Sequence, residues 1–360
     1  MGKILIIGFT KIQYMPYLTF YLNAINLENN DVTLYYWNRD CKEDVQIDNR
    51  IKIKKFEYLL SDSEPKIKKI PAFLLFRKEV INFLKQESYD YIIVLHTLPG
   101  VLIADYLLKY YSNRFVLDYR DYTYEKYEFY KQIIDKLTKA SKITFVSSNA
   151  FRVYLPKLDK IYTSHNITLD TLENRNTNRK LSTNPIRIRY WGLIRYADTN
   201  IKIINCIKND KRFEMHFHGR MQKEAEIIQE FCLENKINNV FFHGEYKPHE
   251  RIEFARNTDL IQNAQDYDEI TKNAVSNKFY DGAIFYIPQI CTNISYMGQC
   301  LELYHIGLPS NMDDNNLADT LFNYISCLNY EEFKKNCDEY INVVIKEYKE
   351  GINILKALFG

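Results

Sequence analysis

Short apolar runs alternate with amphipathic segments along the first half of the chain. KILIIG (Lys3–Gly8) is an apolar run that ends in glycine, and the helix-like segment Met15–Ala24 follows it. Helices such as Val101–Tyr111 and Tyr124–Ala140 are predicted between the strands Val32–Trp37, Ile51–Phe56, Tyr91–His96, Arg114–Tyr119 and Lys142–Ser148. Buried strands that alternate with helices indicate a parallel sheet with crossover connections, which is a doubly wound α/β domain.

A polar stretch at 168–184, TLDTLENRNTNRKLSTN, separates this pattern from a second one. It lacks periodicity and large apolar runs, so it predicts an interdomain linker. After it, helices at Ile201–Ile207 and Gln222–Asn235 alternate with the predicted strands Ile186–Gly192, Phe213–Gly219, Asn239–Gly244, Thr258–Ala264 and Ala283–Ile290. The length of 360 residues also favours two domains.

The domain boundaries follow from this pattern. We expect an N-terminal domain over residues 1–170, a linker at 171–184 and a C-terminal domain over 185–329. Residues 330–360 include a long amphipathic helix, from Tyr330 to about Leu355, which can cross back to the N-terminal domain.

Composition argues against several classes of protein. The net charge of +2 is too balanced to indicate a nucleic-acid partner. The seven cysteines are scattered and include no C-x-x-C pair, so we expect no disulfide framework and no zinc site, and a reducing cytoplasm fits. No run of about 18 apolar residues is present, and the N-terminal run is too short for a signal peptide. A cytoplasmic protein is therefore expected.

Glycines close three predicted strands of the second half. The chain has only 11 glycines, and Gly192, Gly219 and Gly244 each follow a strand directly. Ligands of open α/β sheets bind beyond the carboxyl ends of the strands, and glycine lets the backbone approach a phosphate or a base closely. Ordinary turn chemistry is the alternative for any one of them. As a set, they predict a ligand site at this edge of the sheet.

The segment NKFYDGAIFYIPQICTN (Asn277–Asn293) places polar residues at the start of an apolar run. If a helix begins at Ser276–Asn277, its first amides form an anion site, and Lys278 adds positive charge for a diphosphate. Asp281 lies one turn further on nearly the same face, where a carboxylate can accept hydrogen bonds from ribose hydroxyls. The alternative is a surface Lys–Asp pair on an amphipathic helix.

These motifs resemble the donor-binding domain of the GT-B glycosyltransferases, in particular the large retaining family 4. That family has glycine-ended strands with a nearby basic residue, then a P-N-K-L-F-E-A block. Here YWGLIRY, FHGR, FFHGEYKPHERIEFARNTDLI and SNKFYDGAIFYIPQI follow in that order over roughly Ile186–Ile290. VLDYRDY, FVSS and TSHNI of the first half match more loosely. The resemblance implies two Rossmann-like doubly wound domains that face each other across a cleft.

The resemblance also implies roles for the second-half residues. Lys278 and the amides near Ser276 and Asn277 would hold the donor diphosphate, and Asp281 would bind ribose in place of the second Glu of the family's E-x7-E motif. The first Glu of that motif falls on Asn273, an amide, and Glu269 or Asp268 is the candidate substitute for it. Arg195 would stabilise the leaving diphosphate beside Gly192. The base would lie near Gly219, Arg220, Gly244, Glu245 and Tyr246.

In the first half, His96 ends a predicted strand, and the resemblance implies that it contacts the donor sugar. A histidine that only caps the strand is the alternative. Asp118, Arg120 and Asp121 follow the next strand, either as an Asp–Arg pair that positions a loop or as a base that activates the acceptor. A retaining enzyme needs no protein base if the departing phosphate takes the acceptor proton. An inverting enzyme needs His96, Asp118 or Asp121.

Two further segments carry expectations about metals and membranes. The D-x-D at Asp266–Asp268 is the metal motif of another glycosyltransferase fold, but it follows a strand late in the second half, so we expect no metal and no required cofactor. Glu64–Lys85 mixes basic residues with apolar ones, which suits weak contact with an anionic membrane surface on its inner, cytoplasmic face. An ordinary packed helix with a solvated lysine face is the alternative.

The resemblance thus implies a hexosyltransferase that moves a sugar from a UDP- or GDP-type donor to a glycan or lipid-linked acceptor, in bacterial surface polysaccharide synthesis such as capsule formation. Two alternatives stay open at this point. One is a nucleotide-sugar epimerase of the same fold. The other is a non-catalytic glycosyltransferase-like subunit that binds a nucleotide sugar or a partner.

Overall fold

The computed structural model describes residues 2–61, 64–167, 169–175, 180–247 and 249–360. The chain forms two compact units. Unit 1 consists of Met1–Asn166 with Ile345–Gly360, and unit 2 consists of Ile167–Val344. Within the described ranges, no helix has both the length and the apolar character that a membrane span requires. The predicted linker falls partly on residues 176–179, which lie outside the described residues.

Unit 1 is built on a seven-stranded parallel sheet with the strand order β3-β2-β1-β4-β5-β6-β7. Its strands are β1 (Gly2–Gly8), β2 (Asn30–Asn38), β3 (Lys52–Glu57), β4 (Tyr91–Leu95), β5 (Phe115–Tyr119), β6 (Ile143–Val146) and β7 (Ile161–Thr163). Its helices are α1 (Leu18–Leu22), α2 (Lys66–Gln86), α3 (Thr97–Leu102), α4 (Ala104–Tyr110) and α5 (Glu128–Ala140). The central strands are buried along nearly their whole length, which explains their unbroken apolar sequences.

Unit 2 is built on a six-stranded parallel sheet with the order β10-β9-β8-β11-β12-β13. Its strands are β8 (Ile186–Trp191), β9 (Phe213–His218), β10 (Val240–Phe242), β11 (Leu260–Gln262), β12 (Gln289–Thr292) and β13 (Leu308–Ser310). Its helices are α6 (Ala197–Ile207), α7 (Lys223–Glu234), α8 (Glu250–Arg256), α9 (Asn277–Ile284), α10 (Tyr296–Tyr304) and α11 (Leu317–Cys327). The last helix, α12 (Tyr330–Phe359), contributes to unit 2 up to Val344 and to unit 1 beyond it.

Each sheet contains one point at which the strand order reverses. In unit 1 the chain builds outward from β1 in one direction and then restarts at β4 on the other side. In unit 2 the same reversal separates β8 from β11. The crossover helices leave a crevice beyond the carboxyl ends of these two strands, and ligands of doubly wound sheets bind there. A ligand-binding site is therefore expected near one of these two strand reversals.

One strand prediction, Ala283–Ile290, is wrong over its first six residues. Ala283 and Ile284 were predicted in a strand, but they end α9, and β12 begins only at Gln289. The apolar run does not distinguish a helix from a strand because Lys278–Ile284, nearly two helical turns, is buried throughout. Tyr286, with φ of 55°, lies in the turn between the two elements. The other predicted strands are confirmed to within a few residues.

Candidate functional site

The three glycine-ended strands of unit 2 form one continuous edge. The Gly192 amide donates to the His218 carbonyl oxygen at 3.0 Å, and the Gly219 amide donates to the Gly244 carbonyl oxygen at 2.7 Å. A side chain at Gly219 would collide with the Gly192 carbonyl oxygen. Gly192 itself has a φ of +114°, which other residues rarely adopt. The turns after β8, β9 and β10 therefore lie side by side and expose backbone rather than side chains.

A chain of buried amide side chains holds the start of α9 against the strand ends. The Ser276 hydroxyl donates to Asn263 Oδ1 at 2.7 Å, and Asn263 Nδ2 donates to Gln289 Oε1 at 3.0 Å. Gln289 Nε2 in turn donates to the Phe279 carbonyl oxygen at 2.9 Å. Because the Ser276 side chain is used in this way, it does not cap α9. The Phe279 amide donates to the Ser276 carbonyl oxygen at 3.0 Å, and the side chain of Ser276 leaves the amides before Phe279 to another acceptor, next to the strand reversal between β8 and β11.

Lys278 lies in the first turn of α9 and is buried. Its Nζ lies 3.4 Å from the centroid of the Tyr190 ring, which is a cation–π contact. The pKa of Lys278 is lowered to about 7, mainly by burial; Cys291 and Asp281 oppose this fall, and the nearby Arg195 charge adds to it. Within the described part of the chain, its ammonium group forms no hydrogen bond. A buried lysine in this state is suited to receive an anion.

Tyr190 connects Lys278 with Arg195. The Tyr190 hydroxyl donates to the Leu193 carbonyl oxygen at 2.8 Å and accepts from the Arg195 amide at 3.4 Å. The Arg195 side chain is exposed, in the loop between β8 and α6. The structure thus brings the two predicted cations to the same strand end, one buried and one in contact with solvent.

Asp281 is buried one turn after Lys278 and ties three elements together. It accepts a hydrogen bond from Trp191 Nε1 at 2.9 Å, and Arg251 Nη1 lies 3.6 Å from its other oxygen. Burial raises the pKa of Asp281, and the Arg251 charge and the Trp191 hydrogen bond oppose that rise. Both carboxylate oxygens have protein partners, so any contact with a ribose hydroxyl would be additional to them.

The carboxylates before α9 also have protein partners. Asp268 Oδ1 accepts from the amides of Ile270 and Thr271 at 2.8 Å each, and Asp266 Oδ1 accepts from the Thr199 hydroxyl at 2.6 Å. Glu269 forms an ion pair with a neighbouring lysine at 2.6 Å. Asn273 lies half-buried between these residues and α9. Among the described residues, no group of His, Cys, Asp and Glu side chains is placed to hold a metal ion.

A cavity of about 360 Å³ opens beside Tyr246, lined by Arg189, His218, His243, Glu245, Tyr246, Glu250, Glu253, Phe254 and Asn257. One wall is a stack of rings, with His218 between His243 at 4.3 Å and Phe254 at 4.4 Å. Arg189 Nη1 lies 2.8 Å from His218 Nε2, and because arginine only donates, His218 accepts. Burial lowers the pKa of His218 to about 4. Arg220 lies exposed nearby, 3.9 Å from the Glu245 carboxylate.

The predicted residues of unit 1 fall into two groups. His96 follows β4 with a φ of +81°, and its Nε2 lies 3.1 Å from Asp121 Oδ2 in a partly exposed pair. Asp118 is fully buried and accepts from Arg120 Nε at 2.8 Å. The Arg120 guanidinium also donates to Ser164 and Asn166. Asp118 and Arg120 therefore join β5 to the segment after β7, and neither is open to a ligand in this structure.

Neither a protein-family model nor a curated protein sequence matches the chain. Solved structures, however, are similar over nearly its whole length. Sucrose-phosphate synthase of Thermosynechococcus elongatus has a TM-score of 0.70 at 12% identity, covering 99% of this chain and 95% of its own. A glycosyltransferase of Rickettsia africae has a TM-score of 0.66 at 14% identity, covering 99% of each chain.

HepE of Anabaena, in a structure with UDP and glucose, has a TM-score of 0.63 at 10% identity and covers 99% of this chain and 98% of its own. The chain has the GT-B fold. Its parallel sheets of seven and six strands are the two Rossmann-like domains of a GT-B protein, as the sequence predicts. At identities this low, the similarity establishes the GT-B fold but not the activity, which depends on the residues of the site.

Several residues of the site were missed by sequence reasoning. Tyr190, Arg251 and Gln289 lie inside the quoted motifs and Asn263 lies in a predicted strand, but none of the four was given a role, and the structure shows that they position the predicted residues. One signal was present, because Asn263 and Gln289 are amide side chains within the predicted buried strands TDLIQNA and AIFYIPQI. Amides that stand in buried strands must be hydrogen-bonded, which marks them as parts of a network.

Proposed function

We propose that the protein transfers a sugar from a nucleotide-diphosphate sugar to a glycan or lipid-linked acceptor. The observation that carries the proposal is the buried Lys278 at the start of α9, beside the strand reversal of unit 2 in a GT-B fold. A buried ammonium group without a hydrogen-bond partner is costly unless an anion completes it. A diphosphate is the anion that fits a helix start and an adjacent glycine edge.

The donor is of the UDP or GDP type. HepE was solved with UDP and glucose, and a trehalose-6-phosphate protein of E. coli, also a structural neighbour, was solved with UDP-2-fluoro glucose. We assign the diphosphate to Lys278, the exposed Arg195 and the first amides of α9. The base is assigned to the cavity beside Tyr246, whose flat wall of rings suits stacking. The glycine edge of Gly192, Gly219 and Gly244 gives the backbone access that both parts need.

The chemistry needs stabilisation of the leaving diphosphate more than a strong acid. The bond from the anomeric carbon to the diphosphate oxygen breaks, and a bond to the acceptor oxygen forms. Lys278 and Arg195 stabilise the charge that develops on the diphosphate. In the retaining mechanism typical of family 4, the departing phosphate oxygen takes the acceptor proton. In an inverting mechanism, one member of the His96–Asp121 pair is the base, and the buried Asp118 has a positioning role.

The direct test is the affinity of the Lys278→Ala variant for UDP and GDP, measured by calorimetry. Loss of a charge-assisted contact to a diphosphate is expected to weaken binding by about 30-fold or more. Lys208→Ala, an exposed lysine at the end of α6, is the matched control and should bind as the wild type does. Unchanged nucleotide affinity in Lys278→Ala would contradict the assignment of the donor diphosphate to Lys278.

A second candidate is the non-catalytic nucleotide-sugar-binding subunit, because Asn273 stands where the family has a Glu. Slow release of UDP or GDP from one sugar nucleotide in the absence of acceptor supports the transferase. Intact binding without release from any of the UDP, GDP, CMP or dTDP sugars supports the binding subunit. Interconversion of the bound sugar without transfer would instead support the epimerase. We place the acceptor in bacterial surface polysaccharide or glycolipid synthesis, on the resemblance to family 4 alone.

A further inference from the structure

Arg251 of α8 forms a buried ion pair with Asp281 of α9. Arg251 Nη1 lies 3.6 Å from Asp281 Oδ1, and the two side chains are only 17% and 4% exposed, so water and salt screen the pair little. Phe254, three residues after Arg251 on the same face of α8, packs its ring against those of Trp191 at 5.5 Å and Tyr246 at 5.1 Å. These ring contacts hold Arg251 in place beside α9.

Lys278 and Asp281 are three residues apart on α9, a spacing that brings opposite charges on a helix within reach of each other. Yet their charged groups have different partners. Lys278 Nζ lies over the Tyr190 ring at 3.4 Å, and Asp281 accepts from Trp191 Nε1 at 2.9 Å. Tyr190 and Trp191 are consecutive in β8, and consecutive side chains of a strand point to opposite faces of the sheet. The two charges of α9 are therefore directed to opposite sides of β8.

The carboxylate of Asp281 is buried, so it needs a positive partner. Burial raises the pKa of Asp281, and Arg251 opposes this rise more than the Trp191 hydrogen bond or the charge of Lys278 does. Without Arg251, Lys278 would be the next cation that acts on the carboxylate. Its flexible four-carbon stem starts less than one turn from Asp281, so its ammonium group can reach the carboxylate. Lys278 would then be paired within the protein and no longer open to an anionic ligand.

We propose that Arg251 is a positioning residue of the donor site: it neutralises Asp281, and this keeps the Lys278 ammonium group available for the donor diphosphate. This role rests on the proposed function only in the identity of the anion, since the relation among the three side chains is the same for any anion. Direct contact of Arg251 with the donor is the alternative, because its buried Nε has no hydrogen-bond partner among the described residues. A residue that acts through Asp281 loses its effect when Asp281 is neutral, whereas a direct contact does not.

The affinity for UDP and GDP, measured by calorimetry in a double-mutant cycle, tests this relation. Arg251→Met is expected to weaken binding about tenfold, because Asp281 then pairs with Lys278. In the Asp281→Asn background, the same substitution should change the affinity by less than about twofold. Arg251→Lys retains the positive charge and should stay within about threefold of the wild type. Arg256→Met, which replaces an exposed arginine of the same helix, is the matched control and should bind as the wild type does.

A second measurement needs no nucleotide. Wild-type stability is expected to rise with pH above 7, because the folded chain, with a Lys278 pKa of about 7, binds that proton less tightly than the unfolded chain. In Arg251→Met the unpaired Asp281 carboxylate raises the pKa of Lys278, so the rise in stability should shrink by about half. It should return in Arg251→Met/Asp281→Asn. Urea unfolding at pH 7, 8 and 9 measures the rise. The other titratable or charged groups that face Lys278 are the same in all variants: Tyr190, Arg195 and Cys291.

The two measurements separate the possible outcomes. An unchanged pH dependence in Arg251→Met would overturn the proposal, whatever the nucleotide affinities are. An equal loss of affinity in the wild-type and Asp281→Asn backgrounds would assign Arg251 to direct contact with the donor instead. If the pH dependence changes as expected but the wild type binds neither UDP nor GDP, the positioning role of Arg251 is supported and the proposed donor is wrong.

Discussion

Arg120 in unit 1 and Lys278 in unit 2 are both buried cations near the carboxyl ends of parallel strands, but their surroundings differ. The Arg120 guanidinium donates to Asp118, Ser164 and Asn166, and it lies over the Tyr17 ring at 4.3 Å. The Lys278 ammonium contacts the face of Tyr190, and the described residues offer it no hydrogen bond.

This difference indicates that Arg120 stabilises the fold, whereas Lys278 is available to bind a ligand. A buried charge with a full set of partners is a structural device, and removing one partner leaves the other uncompensated. A buried charge that lacks some of its hydrogen-bond or ion-pair partners raises the free energy of the folded state until a ligand supplies them. The same principle assigns Asp118 and Arg120 to the fold, although the sequence predicts Asp118 in a catalytic role.

The largest effect is expected at Arg120. In Arg120→Ala, the fully buried Asp118 loses its partner, and we expect the free energy of unfolding to fall by about 3–5 kcal/mol. Urea unfolding of the variant measures this change. Arg114→Ala, an exposed arginine just before β5, is the control and should change stability by less than about 1 kcal/mol. Equal stability of the two variants would show that the Arg120 pair is not a structural device.

Lys278 should behave in the opposite way. Lys278→Met removes a buried amine whose pKa lies at about 7, below its value near 10.5 in the unfolded chain, so the variant should be more stable at pH 7 by about 2–4 kcal/mol. Between pH 7 and 10.5 the unfolded wild type binds more protons than the folded one, so wild-type stability rises with pH. The advantage of the variant should therefore shrink across this window. A destabilised variant with a pH-independent difference would contradict this.

The smallest effect is expected at Asp281. Asp281→Asn keeps an acceptor for Trp191 Nε1 and loses only the charge that faces Arg251, so we expect a loss of about 1 kcal/mol in stability. Asp198→Asn, an exposed residue of α6, is the control. A loss several times larger, with a further fall in the pKa of Lys278, would identify Asp281 as the counterion of Lys278 and weaken the contrast with Arg120.

Most of the fold could be predicted because buried parallel strands have a simple signature. Runs such as KILIIG and YIIVLH become β1 and β4 almost residue for residue. The apolar run after Gly282 is predicted wrongly as a strand, because a buried helix turn and a buried strand require the same residue types. The short strand β13, LPS, has no apolar run at all and depends on pairing with β12.

The site was predictable only in part, for a related reason. Sequence motifs marked Lys278, Asp281 and the glycine edge, but a motif does not state which partners a charge acquires on folding. Asp118 and Asp281 look alike in sequence, as acidic residues beside basic ones, and burial gave each of them protein partners. The partner of Asp118 is Arg120, two residues away, and that pair was one of the predicted alternatives. The partners of Asp281, Trp191 and Arg251, come from elements distant in the chain, and residue spacing does not reveal them.

Proton uptake on donor binding tests the central claim most directly. A diphosphate beside Lys278 should restore its positive charge, so at pH 8 the complex should take up about 0.9 proton for a lysine with a pKa of about 7. Calorimetry in buffers of different ionisation enthalpy, with the sugar nucleotide that gives the largest thermal shift, measures this number. The account predicts an uptake near that value in the wild type and none in Lys278→Met. Binding without proton uptake, or equal uptake in both proteins, would contradict it.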